Sequence, residues 1–184
     1  MRRYLHKFGT NEQRSQFESG INYLEPYTSL VYEDDTVYYN VFKAQLTLSD
    51  CKTITIPQNG NNTDSALTSA ETAEYKADIV DVVVGNRVKT LGNGVFLGCS
   101  KLENIEIPNS VTTIGSSTFT NCSKITEIKI PSGVTNINSY TFSGCSNLVS
   151  VELPNGLTGI TGTDAFRNCS KLTNIPFPIG LKSI

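Results

Sequence analysis

Four of the five cysteines, Cys99, Cys122, Cys145 and Cys169, follow one another at intervals of 23, 23 and 24 residues. This spacing constrains the fold more than any other feature of the chain. The cysteines sit in Phe96-Leu-Gly-Cys99, Phe119-Thr-Asn-Cys122, Phe142-Ser-Gly-Cys145 and Phe166-Arg-Asn-Cys169. A branched aliphatic follows each one: Leu102, Ile125, Leu148 and Leu172. Three residues on comes a short alternating run: Ile105-Glu-Ile107-Pro108, Ile128-Lys-Ile130-Pro131, Val151-Glu-Leu153-Pro154 and Ile175-Pro-Phe177-Pro178. A further aliphatic pair closes each unit, from Val111 with Ile114 to Leu181 with Ile184. The last interval is longer because Gly162-Thr163-Asp164 carries one extra residue, and a partial earlier copy begins at Val82-Val-Val84.

A fixed period of this size is the mark of a solenoid, because each unit is too small to bury its own apolar side chains and must stack on its neighbours. The Ile-x-Ile run has period 2, which turns its aliphatics inward and the residues beside them outward. Proline ends each run, since it has no N–H for a ladder bond. Stacking at about 4.8 Å per strand makes four to five parallel strands a rod about 20–25 Å long. The Phe-x-x-Cys segment is expected to form a short helix or tight turn on the opposite side.

These residues resemble the BspA-like branch of the leucine-rich repeats, whose consensus runs Ala-Phe-x-x-Cys-x-x-Leu-x-x-Ile-x-Ile-Pro-x-x-Val-x-x-Ile-Gly. The resemblance covers about residues 82–184. It implies a right-handed, α/β or mainly β, leucine-rich-repeat solenoid with a parallel strand ladder, used for adhesion or protein binding on bacterial and protist surfaces.

The first half is different, and a small mixed N-terminal module is expected there. Six of the eight tyrosines precede residue 43: Tyr4, Tyr23, Tyr27, Tyr32, Tyr38 and Tyr39. Thr10-x-x-Gln13 can cap a short helix that Gly20 stops. Leu30-Val-Tyr32 and Val37-Tyr-Tyr39 flank Glu33-Asp-Asp-Thr36 as a hairpin. Ile54-Thr-Ile56-Pro57 looks like a repeat strand, and residues 58–72 read as a polar loop leading to a short helix that ends at Ala77. Residues 1–45 are therefore read as an attachment or capping module, 46–81 as irregular first repeats, and 82–184 as regular ones. The tyrosines Tyr23, Tyr27, Tyr32, Tyr38 and Tyr39 supply either an attachment surface or the packing of a cap. The run from Tyr4 to Asn40 is also similar to N-terminal segments of structural proteins of gut Bacteroidales and their phages. That likeness implies a virion component assembled in the host cytoplasm, consistent with an N-terminus lacking an apolar signal segment. The alternative setting is the bacterial surface, as an adhesin.

The chemistry expected of the chain is sparse. With 15 basic and 17 acidic residues the net charge is −2, which disfavours a nucleic-acid surface or a polybasic membrane patch. No apolar stretch is long enough to span a bilayer. His6 is the single imidazole and lies in no nucleophile motif, so neither an enzyme nor a cofactor is expected. Asp34-Asp35 and Gly92-Asn-Gly94 read as turns. A straight column of cysteines does not converge on a tetrahedral metal, so these thiols are read as small buried hydrophobes, with Cys51 the exposed outsider. The outward strand positions Asp81, Asn104, Glu106, Glu127, Lys129, Ser150, Glu152 and Asn174 form either a solvated sheet face or a protein-docking face. At the C-terminal edge, Leu181 and Ile184 are inward residues with no further coil over them. The expected partners are proteins: other subunits of a larger assembly, or a surface receptor.

Overall fold

The computed structural model of the chain describes residues 4–7, 28–31, 37–39, 42–57 and 66–183. Near the N-terminus, β1 (Tyr4–Lys7) runs parallel to β2 (Thr28–Val31), which pairs antiparallel with β3 (Val37–Tyr39). The β2–β3 pair is the hairpin expected around Glu33-Asp-Asp-Thr36. The helix expected between Thr10 and Gly20 lies outside the described residues.

From residue 66 onward the chain winds into stacked coils, each with three sides. One side carries β7 (Ile79–Val84), β9 (Asn104–Glu106), β11 (Glu127–Lys129) and β13 (Ser150–Glu152). β7 and β9 pair in parallel with Asp81 opposite Asn104, and β11 and β13 with Lys129 opposite Glu152. The second side is a ladder of two-residue strands: β6 (Ala66–Leu67), β8 (Thr90–Leu91), β10 (Thr113–Ile114), β12 (Asn136–Ile137) and β14 (Gly159–Ile160). Both ladders are hydrogen-bonded in two pieces, with the break at the same coil step. There, Asn138 stands where earlier coils have Gly92 and Gly115. Those glycines donate their backbone N–H to the preceding coil, whereas the Asn138 side-chain amide serves the Ile114 carbonyl at 2.6 Å.

The third side is the Phe-x-x-Cys segment, which adopts turns. Each turn donates alternate N–H groups to the next coil, as in Phe96 to Thr118 O (3.0 Å) and Gly98 to Thr120 O (2.8 Å). The next step repeats this, with Phe119 to Thr141 O (2.9 Å) and Asn121 to Ser143 O (2.8 Å). The residue before each cysteine is left-handed: Gly98, Asn121, Gly144 and Asn168 have φ of 79, 61, 76 and 60°. Only glycine and asparagine occur there, the two types that take this conformation at least cost. Gly98→Asn should therefore leave stability within about 0.5 kcal/mol, whereas Gly98→Ala should cost about 1–2 kcal/mol in urea denaturation. A Cβ at Gly98 meets nothing within 4 Å, so backbone conformation alone decides the difference.

Inside the coils the repeat positions form apolar columns. Phe96, Phe119 and Phe142 are fully buried and stacked, with ring centroids 5.7 and 5.5 Å apart, and Phe166 continues the stack at 5.3 Å. Leu102, Ile125 and Leu148, and likewise Leu91, Ile114 and Ile137, are also excluded from solvent.

The two ends differ. At the first coil, β4 (Phe42–Leu48) and β5 (Thr53–Pro57) form an antiparallel hairpin, and β4 lies antiparallel to β7. Its Ala44 and Leu46 are fully buried against the column. The Ile54-Thr-Ile56 run is thus not a coil strand. The reversal at Ser49–Lys52, with Cys51 at φ 64°, sends it back along β4, and it ends as the outer strand of the sheet. After β6, helix α1 (Ser69–Thr72) supplies the first coil's third side, and Glu71 accepts from the Thr68 N–H at 2.8 Å. At the last coil, Phe166, Cys169, Leu172 and Leu181 are only half-buried, and Phe177 and Ile179 are exposed. The expected strand at 174–176 does not form: Pro176 has no donor, and Phe177 N–H turns back to Ile175 O at 2.9 Å.

Candidate functional site

The strand side of the solenoid faces an open groove of about 1060 Å³. Period 2 along each strand brings two rows of outward side chains onto its floor. The first row runs Asp81, Asn104, Glu127, Ser150 and Asn174, and the second Val83, Glu106, Lys129, Glu152 and Pro176. All eight strand-face residues expected from the sequence line this one groove. Asn174 does so from irregular chain instead of a strand. Val149 also lines it and was not anticipated; at 52% exposure it is a large apolar side chain turned to solvent.

The groove is acidic. Four carboxylates against one ammonium leave its lining at −3, whereas the whole chain is −2, so everything outside the groove sums to +1. Two local contacts hold the lining in place. The Asn104 amide donates to Asp81 Oδ1 at 2.7 Å, and Lys129 Nζ meets Glu152 Oε1 at 2.5 Å. This ion pair joins residues that face each other on neighbouring strands. Both partners are more than 60% exposed, so Lys129→Ala should change stability by less than about 1 kcal/mol. A thermal melt of the variant checks this. Glu127, in the middle of the first row, has no ion-pair partner among the described residues.

A second polar cluster ties the hairpin to the coils. Asp78 accepts from Lys101 Nζ at 2.8 Å and from Ser49 Oγ at 3.1 Å, and the Lys101 hydrogen bond holds its carboxyl below the usual carboxylate range. The only sequence signal was that Lys101 follows Asp78 by one repeat length, which does not reveal Ser49.

The cysteine column is structural in its geometry. The thiols of Cys122, Cys145 and Cys169 each donate to the carbonyl of the preceding coil's phenylalanine, Phe96, Phe119 and Phe142, at 3.1 Å. Burial pushes Cys99 up to about 11 and Cys145 up to about 12, and raises Cys122 and Cys169 as well. A thiol raised in the folded state holds its proton where the unfolded chain has lost it. Its contribution to stability is therefore complete below about pH 9 and declines from there towards pH 12. Denaturation midpoints should be flat with respect to these groups up to pH 8 and fall above pH 9. At pH 8 iodoacetamide should label Cys51, which is exposed, and spare Cys99, Cys122 and Cys145 until the chain unfolds. Among the described residues no cluster of His, Cys, Asp and Glu could hold a metal ion, and no helix is long and apolar enough to cross a membrane.

His6 is on β1, and Tyr38 and Tyr39 are on β3. Tyr23, Tyr27, Tyr32, Asp34, Asp35 and Ile184 lie outside the described residues. Leu181 is half-buried in the last coil.

Comparison with known proteins agrees with this architecture. The model of the BspA type leucine rich repeat region matches residues 69–184 as six copies. Among solved structures, a leucine rich repeat protein of T. pallidum is 29% identical, with TM-score 0.62 over 76% of this chain and 70% of that one. A leucine-rich repeat protein of Bacteroides ovatus is 23% identical over 87% of this chain, with TM-score 0.48. A leucine rich cell surface protein of Faecalibacterium prausnitzii is 21% identical over 80% of it, with TM-score 0.41. The chain spans 48% and 38% of the length of these last two. No curated protein matches the sequence.

Proposed function

Because the chain belongs to the BspA-type leucine-rich repeat family, we propose that it is a non-enzymatic interaction protein whose strand-side groove receives a protein partner. Solenoids offer an extended surface that stacking leaves unused, and leucine-rich repeats use it for binding other proteins. The observation that carries the proposal is the groove itself. Its two rows of outward side chains come from successive coils, and they give its lining a net charge of −3. The turn side has a different task, since its backbone groups are spent on bonds between coils.

The setting follows the two alternatives read from the sequence: a structural or decoration component of a phage virion, or an adhesin on the bacterial surface. The tyrosine-rich N-terminal segment supports an attachment role in either. Fractionating the native host separates them, because the chain travels with purified virions in the first case and with the cell envelope in the second.

The docking face is tested by a photo-crosslinking side chain placed at Glu127 or, as a control, at Thr120 on the turn side. Irradiation of whichever fraction holds the protein should give a discrete adduct from position 127 and none from position 120. The reverse pattern would remove the groove from consideration.

A further inference from the structure

We infer that the occupant of the groove is an extended, basic, proline-rich polypeptide segment carrying Lys or Arg at every third residue. This rests on the groove being the docking face, and it adds the chemistry of what docks. Three observations support it.

The first is charge. The lining carries four carboxylates and one ammonium, a net charge of −3, so it draws a cationic segment. Lys129 does not oppose it, being held by Glu152 at 2.5 Å.

The second is spacing. In the first row the carboxylates are Asp81 and Glu127, with Asn104 between them; one paired step, β7 to β9, and one adjacent but unpaired step, β9 to β11, put them about 10 Å apart. A polyproline II helix has three residues per turn and rises about 3.1 Å per residue, so its i and i+3 side chains share a face about 9.3 Å apart. A β-strand laid along the groove repeats at about 6.6 Å on one face, which fits neither one coil step nor two. Polyproline II also enters with little conformational entropy left to lose.

The third is the apolar surface beside the acids. Val149 is 52% exposed, and Val83 and Pro176 line the same groove. They offer prolyl rings something to pack against beside the contact at Asp81 and beyond the one at Glu127.

The test measures fluorescence anisotropy of labelled synthetic peptides with the full chain. One peptide repeats Lys-Pro-Pro, a second has the same composition with its lysines in one block, and a third repeats Glu-Pro-Pro. Lys-Pro-Pro should bind at about 50 mM salt and weaken at about 300 mM, where screening is much stronger. Asp81→Asn and Glu127→Gln should each lower its affinity about two- to fivefold, the range that one exposed ion pair carries. Glu-Pro-Pro should not bind, and the blocked peptide should bind more weakly than the spaced one. Equal binding of spaced and blocked peptides would overturn the spacing. Binding insensitive to both substitutions, or no binding at all, would overturn the basic occupant. Neither result would touch the docking face, whose own test is the adduct at position 127.

Discussion

Phe119→Ala should remove about 4–5 kcal/mol of stability, a large share of what a domain of this size possesses. The ring is fully buried between Phe96 and Phe142, at 5.7 and 5.5 Å and within 14° of parallel to both. Truncation leaves a cavity that the two neighbouring coils cannot collapse without breaking the turn bonds on either side, and it removes two aromatic contacts at once. Phe166→Ala tests the same chemistry at the last coil. That ring is only half-buried and has one stacked neighbour, Phe142, at 5.3 Å, so its loss should cost about half as much or less. Urea denaturation of the two variants checks the contrast. Equal losses would mean that the phenylalanines do not act as one column.

Gly162→Ala is expected to be nearly as damaging, for a different reason. A Cβ built there lies 2.0 Å from Ser139 N, 2.1 Å from Asn138 C and 2.4 Å from Ser139 Cα. All three are backbone atoms of the preceding coil, so no side chain can swing aside. Relief requires the two coils to part where the extra residue of the longest interval is accommodated. Overpacking of this kind costs about 3 kcal/mol, the upper end of its usual range. The loss should clearly exceed that of Gly98→Ala, where the added methyl group has open space. A thermal melt showing the two alanine variants equally stable would contradict this reading of the coil contact.

Much of the solenoid was legible because its determinants recur. The Phe-x-x-Cys, Leu and Ile-x-Ile positions at fixed spacing identify the columns, and period 2 assigns Glu106, Glu127, Lys129 and Glu152 to the outside without any coordinates. The left-handed column was also written in the chain, since Gly98, Asn121, Gly144 and Asn168 are all the types that favour it. What stayed hidden depends on contacts far apart in sequence. Ile54-Thr-Ile56-Pro57 carries the coil-strand pattern, yet its direction is set by the tight reversal at Cys51 and by pairing with β4. Tyr140 is left-handed at φ 58° although tyrosine disfavours it. Bonds to other coils hold it there: its N–H to Thr163 O at 3.0 Å, and its carbonyl accepting from Thr120 Oγ1 at 2.6 Å. The volume and charge of the groove, and the place of Val149 in it, emerge only once the coils are stacked.

The coils form a single column, closed at one end by the β4–β5 hairpin and held together by bonds between successive turns. Native-state hydrogen exchange tests it most directly, because it reads those bonds one by one. The strongest protection is expected at the N–H groups of Phe96, Phe119 and Phe142 and along β7, with protection falling steadily through residues 165–183. A flat profile, or one strongest in the last coil, would contradict it.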